Sequence, residues 1–180
     1  VNTRVIDVQG VPHCHLLIRD LTAHYALQAK LLHQRQHHAL TGLPNVNWLL
    51  QRLDEICAAA EPASRHLALL VLNIDRFAQL NDNLGRAGGD LVLLALAQRW
   101  REMLPADCPL AHLSGDKFAV LHFPDGNIDN AREIAARLHA GMRQPLRIDK
   151  LDKNISLSLS IGIALFPDDA QCRCLDLARC

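Results

Sequence analysis

Two short stretches of this sequence place polar, oxygen-bearing side chains where buried strands must end. One is Asn73-Ile74-Asp75, which follows the apolar run 67–72. The other is Ser114-Gly115-Asp116-Lys117, set between two stretches that read as short strands, 110–113 and 118–123. Carboxylates gathered from two strand ends are the equipment of metal-assisted phosphoryl transfer, in which divalent ions are held against a triphosphate. That chemistry needs the turn at 114–117 to lie beside the end of the first strand. A hairpin paired to that strand would put it there.

Other groups with chemical potential are weaker. His33 and His37 are four apart, a spacing that can chelate a metal on a helix, but they read more simply as a solvated histidine face. Cys172-x-Cys174 and His13-Cys14-His15 have ligand residue types, yet one intervening residue is poor spacing for structural zinc. The six cysteines, at 14, 57, 108, 172, 174 and 180, show no repeated spacing. We expect a reduced, cytoplasmic protein without a disulfide framework.

The elements that must position the strand ends follow from periodicity. Residues 1–19 read as a β-hairpin turning at Gln9-Gly10. Asp20-Leu21-Thr22 opens a helix to about His38 that is thin in core residues and suits a linker or a partner helix. A second helix follows Leu43-Pro44-Asn45, with Val46, Leu49, Leu50, Leu53 and Cys57 on one face. Residues 67–72 are a continuous apolar run, as a central strand requires. Asp75 is placed to cap a short helix through Leu80, 81–89 reads as a loop, and 91–103 reads as an apolar helix. Ile128, Ala131, Ala135, Leu138 and Met142 mark another helix. In 155–165 every odd residue is Ile or Leu and every even one Ser, Gly or Ala. This predicts one strand with its large face on the core and its small face open to a closely packed helix. A last helix begins near Asp168. The whole is an α/β layer fold with an antiparallel hairpin in its sheet.

Of 180 residues, 19 are Lys or Arg and 19 are Asp or Glu, a formal net charge of zero. A polyanion binder acting through a bulk positive field is excluded, so no nucleic acid is expected as partner. The longest apolar run, 91–97, is far shorter than the roughly 20 residues that span a bilayer, so no membrane span is expected in this segment.

Taken together, His38-Ala39-Leu40-Thr41-Gly42-Leu43-Pro44-Asn45, Asn73-Ile74-Asp75-Arg76-Phe77 with Asn81-Asp82 and Gly89-Asp90, Ser114-Gly115-Asp116-Lys117-Phe118, and Ser160-Ile161-Gly162-Ile163-Ala164 resemble the GGDEF family, which makes cyclic di-GMP from two GTP. The resemblance runs over residues 38–180. Ile18-Arg19-Asp20-Leu21-Thr22 and the helix after it similarly resemble the exit of a PAS sensor. The domains implied are the closing strands of a PAS-like domain at 1–19, a signalling linker at 20–40 and a degenerate GGDEF domain at 41–180, with its last helix truncated. The fold implied is the palm-like one of nucleotide cyclases, a mainly antiparallel central sheet surrounded by helices.

The departures from the family pattern carry the functional expectation. The resemblance places the family's first metal-holding Asp on Asn73 and its signature Glu on Lys117, leaving Asp116 as the residual metal candidate. Its usual Lys falls on Ala78, and its product-inhibition motif reads Pro105-Ala106-Asp107-Cys108. Its opening Asp and closing Arg fall on His38 and Val46, and the phosphate-binding Lys and Arg of its last helix fall beyond Cys180. The formal charge of the three metal positions goes from minus three to zero. Magnesium needs hard anionic oxygens, and an ammonium at short range repels it by several kcal/mol. No catalytic residue and no bound Mg²⁺ are therefore expected.

Asn81 and Asp90, at the positions that recognise guanine in the family, are intact, so the resemblance leaves GTP or GDP as a candidate ligand that binds without reacting, with Lys117 able to pair with a phosphate. As plain structural residues, Asn81 would sit in an Asx turn and Asp90 would cap the helix at 91. The expected function is a regulatory, signal-relaying domain in a bacterial cyclic-di-GMP protein. It would dimerise through the linker helix and control a downstream EAL phosphodiesterase domain. The alternative is a weak cyclase using Asp75 and Asp116.

Overall fold

The computed structural model describes the backbone of residues 2–8, 11–17, 34–59, 67–122 and 128–166, and within these the side chains of 34–56, 67–122 and 129–166. The expected linker helix falls largely outside these residues, with only 34–36 seen as helix, and the expected last helix falls wholly outside. The chain divides into two compact units, Val1–Gln34 and Arg35–Cys180. The first contains the expected hairpin: β1 (Asn2–Val8) pairs antiparallel with β2 (Val11–Leu17), with Val8 opposite Val11.

In the second unit, helix α1 (Val46–Ala59) is followed by β3 (Leu67–Ile74), helix α2 (Phe77–Met103), β4 (Leu110–Ser114), β5 (Lys117–His122) and helix α3 (Ile128–Met142). Then come β6 (Leu146–Ile148), a single 3₁₀ turn, β7 (Lys153–Ile155) and β8 (Leu159–Phe166). The main sheet has the order β4-β5-β3-β8, antiparallel throughout, and β6 pairs with β7 in a separate ribbon. The hairpin thus lies against the first buried strand, as the site chemistry requires.

Strand β3 is apolar on both faces because both are covered. Ala68, Leu70, Leu72 and Ile74 enter a core built with Val92, Leu93, Leu96 and Trp100 of α2 and Ala131, Ile134 and Leu138 of α3. Leu67 and Leu69 point the other way, into a second core with Leu49, Leu53 and Ile56 of α1 and Ala119 and Leu121 of β5. The Asn45 carboxamide oxygen caps α1, accepting from the Trp48 N–H at 3.1 Å. The Arg99 guanidinium donates to the carbonyls of Gly141, Gln144 and Pro145 and so satisfies the end of α3.

Four expectations need correction. Residues 81–89 are helical, not a loop. The helix runs through from Phe77 and bends at Gly85, whose φ of 71° breaks the ladder. Gly88 and Gly89 face Leu84 and Asn81 across that bend with no room for a Cβ, so the glycines that read as loop signals are packing contacts. Asp75 does not cap this helix: the capping position is Arg76, in a left-handed conformation and without a side-chain bond. Asp90 lies inside the helix rather than at its start.

The fourth correction concerns the strand expected over 155–165, which is broken at 156–158. Its odd residues do pack on the core, with Leu159 buried and Ile155, Leu157, Ile161, Ile163 and Leu165 against it. Among the described residues no helix closes its small face at Ser160 and Gly162, which are exposed, and no atom lies within 4 Å of a Cβ built on Gly162, while Ala164 is buried. The ribbon β6–β7 was not anticipated. Its three-residue strands carry too little periodicity to separate from loop.

A buried imidazole ties the lead-in segment to the hairpin. His112, fully buried in β4, stacks between His38 (ring centroids 3.7 Å apart) and Phe118 (4.1 Å). Its Nε2–H donates to the Gly115 carbonyl at 2.9 Å, which leaves Nδ1 to accept from the Thr41 hydroxyl at 3.1 Å. The His112 N–H also donates to the Pro44 carbonyl at 2.8 Å. Burial lowers the His112 pKa from 6.5 to about 4; the Gly115 carbonyl opposes this shift and nearby His38 adds to it.

Two outcomes follow for stability. Leu70→Ala, at a fully buried position, is expected to cost about 2–5 kcal/mol in urea unfolding. Leu94→Ala, at an exposed position, should stay within about 0.5 kcal/mol. For pH, the unfolded chain binds a proton at His112 before the folded one does. The stabilisation held in the neutral ring is therefore complete above about pH 6.5 and is lost as pH falls towards 4, on the order of 3 kcal/mol. The urea midpoint should fall across that window, and His112→Gln should flatten the fall; an unchanged slope would remove His112 as its source.

Candidate functional site

The site begins with strand register. Asn73, next to last in β3, lies directly opposite Lys117 of β5 on one side and Ser160 of β8 on the other. By alternation these three belong to the same sheet face as Leu67 and Leu69. Helix α1 covers the far end of that face, and Asn73 and Ser160 remain exposed while Lys117 is half-buried. The result is a polar strip across three strands, an amide flanked by an ammonium and a hydroxyl.

Beyond the strip, the two expected strand ends meet. The Ile74 N–H donates to the Asp116 carbonyl at 3.2 Å, and the Asp75 N–H donates to the Ser158 carbonyl at 3.1 Å. The turn between β4 and β5 is closed by Gly115, at φ 51°, and Asp116. Asp75 turns toward β8, where its Oδ1 accepts from the Ser160 hydroxyl at 2.6 Å. Hydrogen bonds from Ser160 and then Ser158 hold its carboxyl below the usual range. The small residues of β8 that read as a packing face therefore supply the partners of Asp75. Sequence reasoning missed that role, although the run of serines opposite a strand-end acid was its signal.

The expected base-recognition residues are brought together differently from a loop. Helix α2 folds at Gly85 so that the Asn81 carboxamide rests on Gly89, next to Asp90. Both Asn81 and Asp90 are half-buried.

The donor set can be judged for a divalent cation. Asn73 offers a neutral amide, Lys117 a positive charge with no ion-pair partner among the described residues, and Asp75 a carboxylate already engaged by Ser160. The Asp116 carboxylate is the second acidic donor, so among the described residues two carboxylates at most face this strip. Magnesium bound through carboxylates in near-octahedral geometry does not fit these residues. Within the strip the Lys117 ammonium can meet an anion, whereas the Ser160 hydroxyl proton is already committed to Asp75.

The signature turn is also held from behind, through His112 bonded to both Gly115 and Thr41, and neither His38 nor His112 was singled out for that role from sequence. The Cys108–His122 pair was missed too, since the residues are 14 apart in sequence and joined only by the fold, with Sγ 3.2 Å from Nδ1. The Cys108 thiol is pushed up to about 11, chiefly by burial, so it is not a reactive thiolate. A groove of about 890 Å³ opens elsewhere, lined in part by Leu94, Gln98, Arg101 and Arg147, away from the strand ends. No helix among the described residues is long and apolar enough to cross a membrane.

Comparison with known proteins places this geometry. A sequence model described as the diguanylate cyclase GGDEF domain matches residues 35–178. The diguanylate cyclase TpbB of Pseudomonas aeruginosa is 41% identical over 142 residues, which are 79% of this chain and 32% of TpbB. The bifunctional diguanylate cyclase/cyclic di-GMP phosphodiesterase MucR of the same organism is 35% identical over 144 residues, 80% of this chain and 21% of MucR. The chain thus spans a third or less of the length of these relatives. Among solved structures, the isolated GGDEF domain of TpbB superposes with a TM-score of 0.67 at 40% identity, covering 73% of this chain and 76% of that one. A sensory box/GGDEF protein of Caulobacter crescentus gives 0.67 at 32% identity, over 74% and 85%. With the family sequence matched over most of its length and the antiparallel β4-β5-β3-β8 sheet in place, the chain belongs to the GGDEF domain family of cyclic-di-GMP signalling proteins.

Proposed function

We propose that this domain binds a guanine nucleotide without converting it to cyclic di-GMP, and that it serves as a regulatory relay in a larger signalling protein. The observation that carries the reading is the register that sets Asn73 directly beside Lys117. Where cyclisation needs carboxylates around two cations, this strip presents an amide and an ammonium. Asn81, beside Gly89 and Asp90, is available to hold a guanine base, and Lys117 is available for a phosphate. Residues 1–19 act in this reading as the end of a PAS-like sensor and 20–40 as a dimerising signal helix.

The relay has a physical path in the second unit. Arg35, Gln36 and His37 bond to Asn45, whose neighbour Pro44 bonds to β4, and Thr41 reaches His112 and through it the signature turn. A displacement of the lead-in segment is thereby coupled to Gly115 and Asp116. MucR, which joins a cyclase to a phosphodiesterase, supports a downstream EAL phosphodiesterase domain as the controlled neighbour. The second reading, a weak cyclase, rests on the two retained acids, Asp75 and Asp116, which the Ile74–Asp116 bond brings to adjacent strand ends.

Incubation with GTP and Mg²⁺ or Mn²⁺ is expected to give no cyclic di-GMP above background. Calorimetry should show GTP binding whose affinity is unchanged by EDTA. Lys117→Glu with Asn73→Asp should make nucleotide binding depend on the cation. Turnover by the unaltered domain of about 1 s⁻¹ or more, the ordinary enzymatic range, would establish the second reading. Absence of GTP binding with or without metal would remove the nucleotide from the first.

A further inference from the structure

Far from the strand-end strip, three side chains of different chemistry converge without any role in nucleotide binding. Asp107 and Cys108 sit in the connection between α2 and β4, and His122 ends β5. The Cys108 sulfur lies 3.2 Å from His122 Nδ1 and 3.9 Å from Asp107 Oδ1, and the three ligand atoms all fall within 4.8 Å of one another. His122 is five residues along β5 from Lys117, roughly 17 Å at strand rise. This cluster is therefore separate from the nucleotide site.

We propose that Asp107, Cys108 and His122 form a binding site for a zinc-class divalent ion, with a water molecule as fourth ligand. Tetrahedral zinc has Zn–S of about 2.3 Å and Zn–N and Zn–O of about 2.0–2.2 Å, which set the edges between ligand atoms at about 3.6 Å. The observed separations of 3.2 and 3.9 Å bracket that edge. A soft sulfur, an imidazole nitrogen and one carboxylate oxygen select zinc, or cobalt in its place, over magnesium or calcium.

The backbone fixes both halves of the site. The Cys108 N–H donates to the Pro105 carbonyl at 3.0 Å, and the Leu121 N–H donates to the Pro109 carbonyl at 3.1 Å, which clamps the connection onto β5. His122 is itself locked in register opposite Ala68. Asp107 is exposed and opens one side to solvent, where ion and water can enter. Two features oppose an ion: the thiol must lose its proton, and Arg137 places a positive charge near Cys108. Both are consistent with a site that takes up metal reversibly rather than one that folding depends on.

A thiol–imidazole hydrogen bond with no metal function would give the same static picture, so the test must read ligation. The metal-free 180-residue protein is titrated with Co²⁺, following the thiolate-to-cobalt charge-transfer band and the d–d bands of tetrahedral cobalt. Saturation at one equivalent, reversed by Zn²⁺, is expected. Cys108→Ser should abolish the charge-transfer band, and His122→Ala and Asp107→Asn should each weaken zinc binding by at least about 10- to 100-fold. A variant lacking Cys172 and Cys174 should keep the band. Asp107→Asn changes an exposed carboxylate and leaves the core alone, so it decides the matter if Cys108→Ser fails to fold. No saturable band, or a band that survives Cys108→Ser, or affinity unmoved by Asp107→Asn, would overturn the site.

Discussion

One proton on one nitrogen organises the working end of this domain. His112 is sealed from water in β4, and the Gly115 carbonyl beside its Nε2 can only accept. The ring must therefore carry its hydrogen on Nε2 and receive the Thr41 hydroxyl at Nδ1. A charged ring would have two donors, and the Thr41 hydroxyl would have to turn away or act as acceptor. It would also face His38 at 3.7 Å between ring centroids. Neutrality is thus a structural requirement, met chiefly by burial, with His38 adding to it. Through this ring the Leu40-Thr41-Gly42 turn and the signature turn hold each other in place, although 71 residues separate Thr41 from His112.

What the turn presents depends in addition on β3 having two buried faces. Because consecutive residues alternate between the α2–α3 core and the α1 core, every residue of β3 has a fixed side, and a one-residue slip would exchange the cores. This pins Asn73 on the face of α1, beyond its reach. The same register commits Lys117 and Ser160 to that face. The strip owes its composition to local sequence and its alignment to packing far from it. The charges at these positions can therefore change without loss of fold.

The sequence revealed elements wherever burial repeats over enough residues. Helix α1 with its Asn45 cap, the apolar run of β3, the hairpin about Gly115 and the stripe of α3 all show a period of 3.6 or 2 or a strong turn signal. It misled where glycine does two jobs. Gly85 does break the helix, but Gly88 and Gly89 are there because Leu84 and Asn81 press on them, and no local rule separates these cases. The same limit applies to β8. Alternation of large and small residues correctly predicted the core side, yet the use of the small side, serine hydroxyls turned to Asp75, depends on contacts 85 residues away. The strand-end positions were legible from the family resemblance. The His38–His112 stack and the Cys108–His122 pair were not, because each joins residues whose proximity only the folded sheet creates.

In the proposed reading, the groups that match the family pattern and those that depart from it stand on different elements. In a cyclase palm, holding the nucleotide and holding the cations are served by different side chains on different elements. Here the helical pair Asn81 and Asp90 stands on α2, braced across the Gly85 bend by the packing of Asn81 on Gly89. The altered groups, Asn73 and Lys117, stand on the sheet. The substitution at 117 inverts charge instead of merely removing it, and an ammonium within reach of a triphosphate can neutralise part of the anionic charge that a metal would otherwise balance. A lysine cannot polarise the reacting phosphate as a bound cation pair does. On the proposed reading, a site built this way would favour the bound nucleotide over the transition state, and its binding energy would serve a change of conformation and not chemistry.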